Sequence, residues 1–120
     1  MGTTVLVVDD EKNIRTTLAD ILEDEGYDVT TAESGERALK LCRRRPFDMV
    51  LLDVRMPGID GVETFRRIRE RQIGVRIIMM SAYTMEEMER VVLHEGAVAF
   101  MRKPLDVGRM LRLIREVPED

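Results

Sequence analysis

A set of short apolar runs without polar alternation restricts this chain's fold more than any other feature. Val5-Leu6-Val7-Val8 and Met49-Val50-Leu51-Leu52 are continuous aliphatic stretches, and a strand carries such a stretch only where both its faces are covered. Val75–Met80 and Ala97–Met101 are of the same kind, and Tyr27–Thr31 reads as a further strand. Segments of helical period lie between them. Ile14, Leu18, Ile21 and Leu22 mark the first, closed by Gly26 as a C-cap. Ser34 can cap a second, with Ala38, Leu41 and Cys42 on one face, which Pro46 ends. Asp60 can cap a third, with Val62, Phe65 and Ile68 inward. Thr84-Met85-Glu86-Glu87 has capping-box spacing and opens a fourth that Gly96 closes. A fifth is expected over Asp106–Val117, with Val107, Met110, Leu111 and Ile114 on its apolar side. Five strands alternating with five helices imply parallel strands joined by crossover helices, a three-layer α/β/α sandwich.

Composition bounds the chemistry. A chain of 120 residues can bury about two thirds of its surface, enough for one core and not for two. No apolar run approaches the ~18 residues of a membrane span, and Met1–Val8 lacks the pattern of a signal peptide. The net charge of −4 disfavours global attraction to nucleic acid or an anionic membrane. A lone cysteine, Cys42, and a lone histidine, His94, exclude an internal disulfide and any metal site needing several thiolates or imidazoles. A metal here would be held by carboxylates and carbonyls, as Mg²⁺ is. The expectation is a single soluble domain in a reducing, cytoplasmic setting.

Ligands of an open parallel sheet bind outside the carboxyl ends of its strands. Four of the five runs end in groups capable of chemistry: Asp9-Asp10, Asp53, Ser81 and Lys103. They are far apart in sequence, and the fold rule brings them to one edge. Three carboxylates together repel one another, a conflict that a divalent cation removes. With a lysine and a hydroxyl opposite, the set suits an incoming phosphoryl group. A carboxylate can also be the attacking nucleophile, and the central Asp53 is the best candidate.

The chain resembles the receiver domain of two-component response regulators over essentially its whole length. Val7-Val8-Asp9-Asp10, Leu51-Leu52-Asp53, Met56-Pro57-Gly58 with Asp60-Gly61, Ser81-Ala82, Gly96-Ala97 and Lys103-Pro104 carry the resemblance, in order and at the spacing of five βα units. It implies a flavodoxin-like doubly wound (βα)5 sandwich of the CheY-like superfamily, with a five-stranded parallel sheet in the order 2-1-3-4-5. It implies that residues 1–120 form one receiver domain, whether complete or the N-terminal part of a longer regulator. Asp53 would accept a phosphoryl group from a phosphohistidine on a sensor histidine kinase or histidine phosphotransfer protein. Asp10, Asp53 and the main-chain carbonyl of Arg55 would bind Mg²⁺, with Asp9 acting through a metal-bound water. Lys103 would pair with the phosphoryl oxygens, Ser81 would supply the hydroxyl, and the Lys103-Pro104 bond would be cis. Ser81 and Phe100 would form a switch, and the surface of the fourth helix, fifth strand and fifth helix would then engage an effector or an attached output domain. Dimerisation through the last helices fits the same pattern; direct nucleic-acid or membrane binding does not.

Phe100 lacks the hydroxyl of a tyrosine, so its inward state gains packing alone. Arg55 and Tyr83, two residues after Asp53 and Ser81, are ill suited to orienting a nucleophilic water, and slow self-dephosphorylation is expected. Arg66, Arg67, Arg69 and Arg71 read as a solvated face of the third helix, while Arg102, Arg109, Arg112 and Arg115 make the output face positive. On this reading the chain turns over no separate substrate. The alternatives are an aspartate-nucleophile phosphohydrolase, disfavoured by Arg55 where a second acid is needed; a flavodoxin-like cofactor carrier, disfavoured by Asp9-Asp10-Glu11, which would repel phosphate; and a pseudo-receiver that never carries phosphate.

Overall fold

Five parallel strands lie in the order β2-β1-β3-β4-β5, as the resemblance implies. They are β1 (Thr4–Val8), β2 (Asp28–Ala32), β3 (Met49–Asp53), β4 (Arg76–Ser81) and β5 (Ala99–Arg102). The helices between and after them are α1 (Lys12–Asp24), α2 (Gly35–Arg44), α3 (Gly61–Arg71), α4 (Glu86–His94) and α5 (Val107–Arg115). This computed structural model describes residues 2–54, 60–83 and 86–116. Thr84-Met85 of the expected capping box and Val117 at the expected helix end lie outside the described residues.

The apolar runs are covered on both faces. Leu6, Val8, Val50, Leu52, Ile77 and Met79 pack toward α2, α3 and α4. Their sequence neighbours Val5, Val7, Met49, Leu51, Ile78 and Met80 pack toward α1 and α5. All twelve are buried, which is why the runs show no polar alternation. Methionine fills much of this interior: Met49, Met79, Met80, Met101 and Met110 are buried.

The caps follow their residue types. Ser34 accepts from the Arg37 N–H (3.1 Å), Asp60 from the Glu63 N–H (2.8 Å) and Asp106 from the Arg109 N–H (3.0 Å). Gly26, at φ 91°, follows the C-cap of α1 and takes the left-handed turn out of it. The last strand begins two residues later than its apolar run, because the Ala97 N–H returns to the Val92 carbonyl (2.8 Å) to close α4. In α2 Leu39 is buried and Leu41 half-buried, whereas the spacing favoured Leu41.

Candidate functional site

Register puts the chemistry on one edge. Val8 is level with Leu52, so Asp9 leaves β1 beside Asp53 at the end of β3. Asp53 is level with Met80, which sets Ser81 one residue further along β4; Ser81 is level with Arg102, which sets Lys103 one further again. The groups lie at or just past the ends of adjacent strands on the carboxyl edge of the sheet, as expected for a ligand site of this architecture.

Helix α3 meets this edge closely. The Gly61 N–H donates to the Val54 carbonyl at 3.1 Å. A Cβ at Gly61 would stand 2.5 Å from Val54 Cα and 2.9 Å from the Asp53 carbonyl oxygen. Only glycine admits this approach of the helix start to the strand bearing Asp53.

The carboxylates converge. Asp9, Asp10 and Asp53 each offer an oxygen, and the three lie within 4.8 Å of one another. Asp9 and Asp53 are buried, while Asp10 is exposed. The Lys103 ammonium is 2.6 Å from Asp9 Oδ2 and 3.3 Å from Asp53 Oδ2. Burial alone would lower the pKa of this lysine. The hydrogen bond to Asp9 and the field of Asp53 outweigh it and hold the ammonium above its ordinary value. Asp9 is committed at both oxygens, since Oδ1 also accepts from the Glu11 N–H at 2.9 Å. Asp10 makes no hydrogen bond or ion pair among the described residues, so its carboxylate is available to a ligand. An all-oxygen donor set of this kind fits a hard divalent cation and no softer one.

The remaining expected residues divide. Ser81 is buried at the end of β4, and its hydroxyl accepts from the Tyr83 N–H at 3.0 Å. Tyr83 itself is exposed. Phe100 is half-buried against the cluster that contains Val92 and Ala97, at some distance along β5 from the acidic groups. The Lys103-Pro104 bond is cis. Arg55, with its main-chain carbonyl, and Met56-Pro57-Gly58 lie outside the described residues. Beside the site, an apolar groove of about 560 Å³ runs between α1 and the segment after β5, past Ile14, Leu18, Ile21, Leu105 and Val107, and reaches Lys103.

Arg66 and Arg15 make contacts that the sequence pattern does not announce. Arg66, expected to be merely solvated, holds Glu95 through two hydrogen bonds (2.8 and 2.6 Å) that tie α3 to the end of α4. Arg15 donates to the main-chain carbonyl of Asp9 at 2.8 Å. Neither motif nor periodicity marks an arginine six residues after an aspartate.

The comparisons with known proteins agree on family and fold. The model of the response regulator receiver domain matches residues 5–115. The alkaline phosphatase synthesis transcriptional regulatory protein PhoP of Bacillus subtilis is 42% identical over 105 residues, which are 87% of this chain and 43% of that protein. Sporulation initiation phosphotransferase F of the same organism is 32% identical over 116 residues, 97% of this chain and 94% of its relative. The chain thus spans less than half of the first relative and nearly all of the second. Among solved structures, the response regulator TrrA from Thermotoga maritima, in complex with Mg²⁺ and BeF, superposes with a TM-score of 0.85 at 34% identity, covering 97% of this chain and 99% of that one. A receiver domain from Methanospirillum hungatei gives 0.92 at 29% identity, covering 97% and 93%. With its strand order, its acidic edge and its lysine accounted for together, the chain belongs to the response regulator receiver domain family of two-component systems.

Proposed function

We propose that the chain is a phosphoacceptor switch. It takes a phosphoryl group from a phosphohistidine of a sensor kinase or phosphotransfer protein onto Asp53. The observation that carries this reading is the convergence of three carboxylate oxygens within 4.8 Å, with Lys103 in ion-pair contact with two of those residues. A carboxylate oxygen of Asp53 attacks phosphorus; the P–N bond breaks as the P–O bond forms, and the leaving imidazole takes a proton. Asp10 and Asp53 would hold Mg²⁺ directly, helped by the Arg55 carbonyl. Asp9, its oxygens already engaged, would act through a bound water. When bound, the cation offsets the charge of the carboxylates and of the incoming group. Lys103, already charged and close to Asp53, is placed to pair with the phosphoryl oxygens. The donor protein would approach along the apolar groove that ends at Lys103.

After transfer, Ser81 would exchange its bond from the Tyr83 N–H for one to the new oxygens, and Phe100 would move inward from its half-buried position. The face of α4, β5 and α5 would change in consequence. Arg102, Arg109, Arg112 and Arg115 are exposed there and form no ion pair among the described residues, which favours an acidic effector or output domain. The side chains of Tyr83 and Arg55 would shield the phosphoryl group, making its loss slow.

Incubation with acetyl phosphate and Mg²⁺, followed by intact mass measurement, tests the reading. The wild type is expected to gain one phosphoryl group and Asp53→Asn none. Continuous phosphate release with turnover would mark a hydrolase instead, and no adduct at all a pseudo-receiver.

A further inference from the structure

Arg15 has no part in the chemistry above, yet it touches the turn on which that chemistry depends. Its Nη1 donates to the Asp9 carbonyl at 2.8 Å, and the side chain is half-buried. Cα–Cβ bonds tilt toward a helix's N-terminus, so an arginine one turn into α1 can reach back over the β1–α1 turn. The helix dipole disfavours a cation there, and the acidic residues that offset it, Asp9, Asp10 and Glu11, stand just before the helix, none in its first turn. The Asp9 N–H donates to Ala32 (3.1 Å), Oδ1 accepts from Glu11 (2.9 Å) and Oδ2 from Lys103 (2.6 Å). Arg15 occupies the remaining backbone acceptor. That carbonyl belongs to the planar peptide joining Asp9 to Asp10, so fixing it fixes the plane from which Asp10 departs. Asp10, exposed and without a side-chain partner among the described residues, is placed through its flanking peptides: the Arg15 bond holds the one before it, and the Glu11 N–H on Asp9 Oδ1 the one after.

We infer that Arg15 is a positioning residue for the divalent cation site: it locks the Asp9–Asp10 peptide so that the Asp10 carboxylate stays within reach of Asp53. The inference rests on the metal reading of the site proposed above. Its test exploits opposite signs. Removing a cation beside an acidic cluster strengthens cation binding by Coulomb's law, whereas releasing the turn weakens it.

Mg²⁺ titration by NMR or calorimetry on wild type, Arg15→Met, Arg15→Gln and Lys12→Met separates the two effects. Lys12 is an exposed cation on the same helix with no contact to the turn among the described residues. Both Arg15 variants are expected to raise the Mg²⁺ dissociation constant about tenfold, the usual size of an outer-shell loss, while Lys12→Met leaves it unchanged or lowers it. Thermal unfolding in EDTA serves as the structural readout. Lower melting temperatures with an unaltered dissociation constant would overturn the inference, as would Arg15 and Lys12 variants that behave alike. A wild type that binds no Mg²⁺, or an Asp10→Asn variant that binds it as well as wild type, would overturn the metal reading itself and this inference with it.

Discussion

Replacing Asp10 with asparagine should stabilise the metal-free protein although it removes a proposed ligand. The Asp10 oxygen stands no more than 4.8 Å from oxygens of Asp9 and Asp53, and no cation is within ion-pair distance of it among the described residues. Each like-charge pair at 4.8 Å costs about 0.9 kcal/mol in water-like surroundings, the appropriate limit for an exposed group. Two pairs cost about 1.7 kcal/mol; the Lys103 ammonium, in contact with both Asp9 and Asp53, offsets about half of this, and salt at physiological strength screens the rest to about 0.5 kcal/mol. Were Asp10 simply a helix-start residue, its loss would instead cost about 0.5 kcal/mol of macrodipole energy. The sign therefore decides between the two roles. Urea unfolding in EDTA should show Asp10→Asn more stable than wild type by about 0.5 kcal/mol, or roughly 2–3 °C in melting temperature. Saturating Mg²⁺ should raise the wild type and leave the variant nearly unmoved, so that the difference closes or reverses. A variant less stable than wild type in EDTA would refute the electrostatic account of the site.

Gly61→Ala should destabilise by about 2 kcal/mol in urea unfolding, because its Cβ would meet the Val54 and Asp53 backbone; helix propensity alone predicts a gain, so any stabilisation would count against the close approach. Lys103→Met should cost about 3 kcal/mol at neutral pH in EDTA by stranding the buried Asp9 carboxylate. Because the folded pKa of Lys103 is raised, its contribution is complete below the ordinary lysine value of about 10.4 and fades as pH rises through the folded value, so the gap between wild type and variant should narrow only at strongly alkaline pH. Asp24→Lys should add about 0.5 kcal/mol, since the last turn of α1 carries Glu23 and Asp24 with no basic residue.

The centre of the sheet was legible because β1, β3 and β4 are buried on both faces, a demand that only continuous runs such as Met49–Leu52 meet. The edge chemistry was legible by a different route: parallel register makes the residue after each run arrive at a common rim, so Asp9, Asp53, Ser81 and Lys103 could be grouped without local spacing. What the sequence leaves out is side-chain reach. Arg66 was one of several arginines on a polar helix face, and only the fold brings Glu95 within its span. Arg15 acts on a main-chain carbonyl, which any residue type supplies, so no sequence pattern announces it. The boundary of β5 was displaced for a similar reason, as the N–H of Ala97 serves the helix before it and not the sheet.

Borohydride reduction of the protein treated with acetyl phosphate and Mg²⁺ would report most directly on the nucleophile, because it converts an aspartyl phosphate to homoserine at the residue that carried it. Peptide mapping should find homoserine at position 53 alone, and only when both phosphodonor and Mg²⁺ were present. Homoserine at another carboxylate, or labelling that persists in Asp53→Asn, would contradict the assignment of Asp53 as the phosphoacceptor.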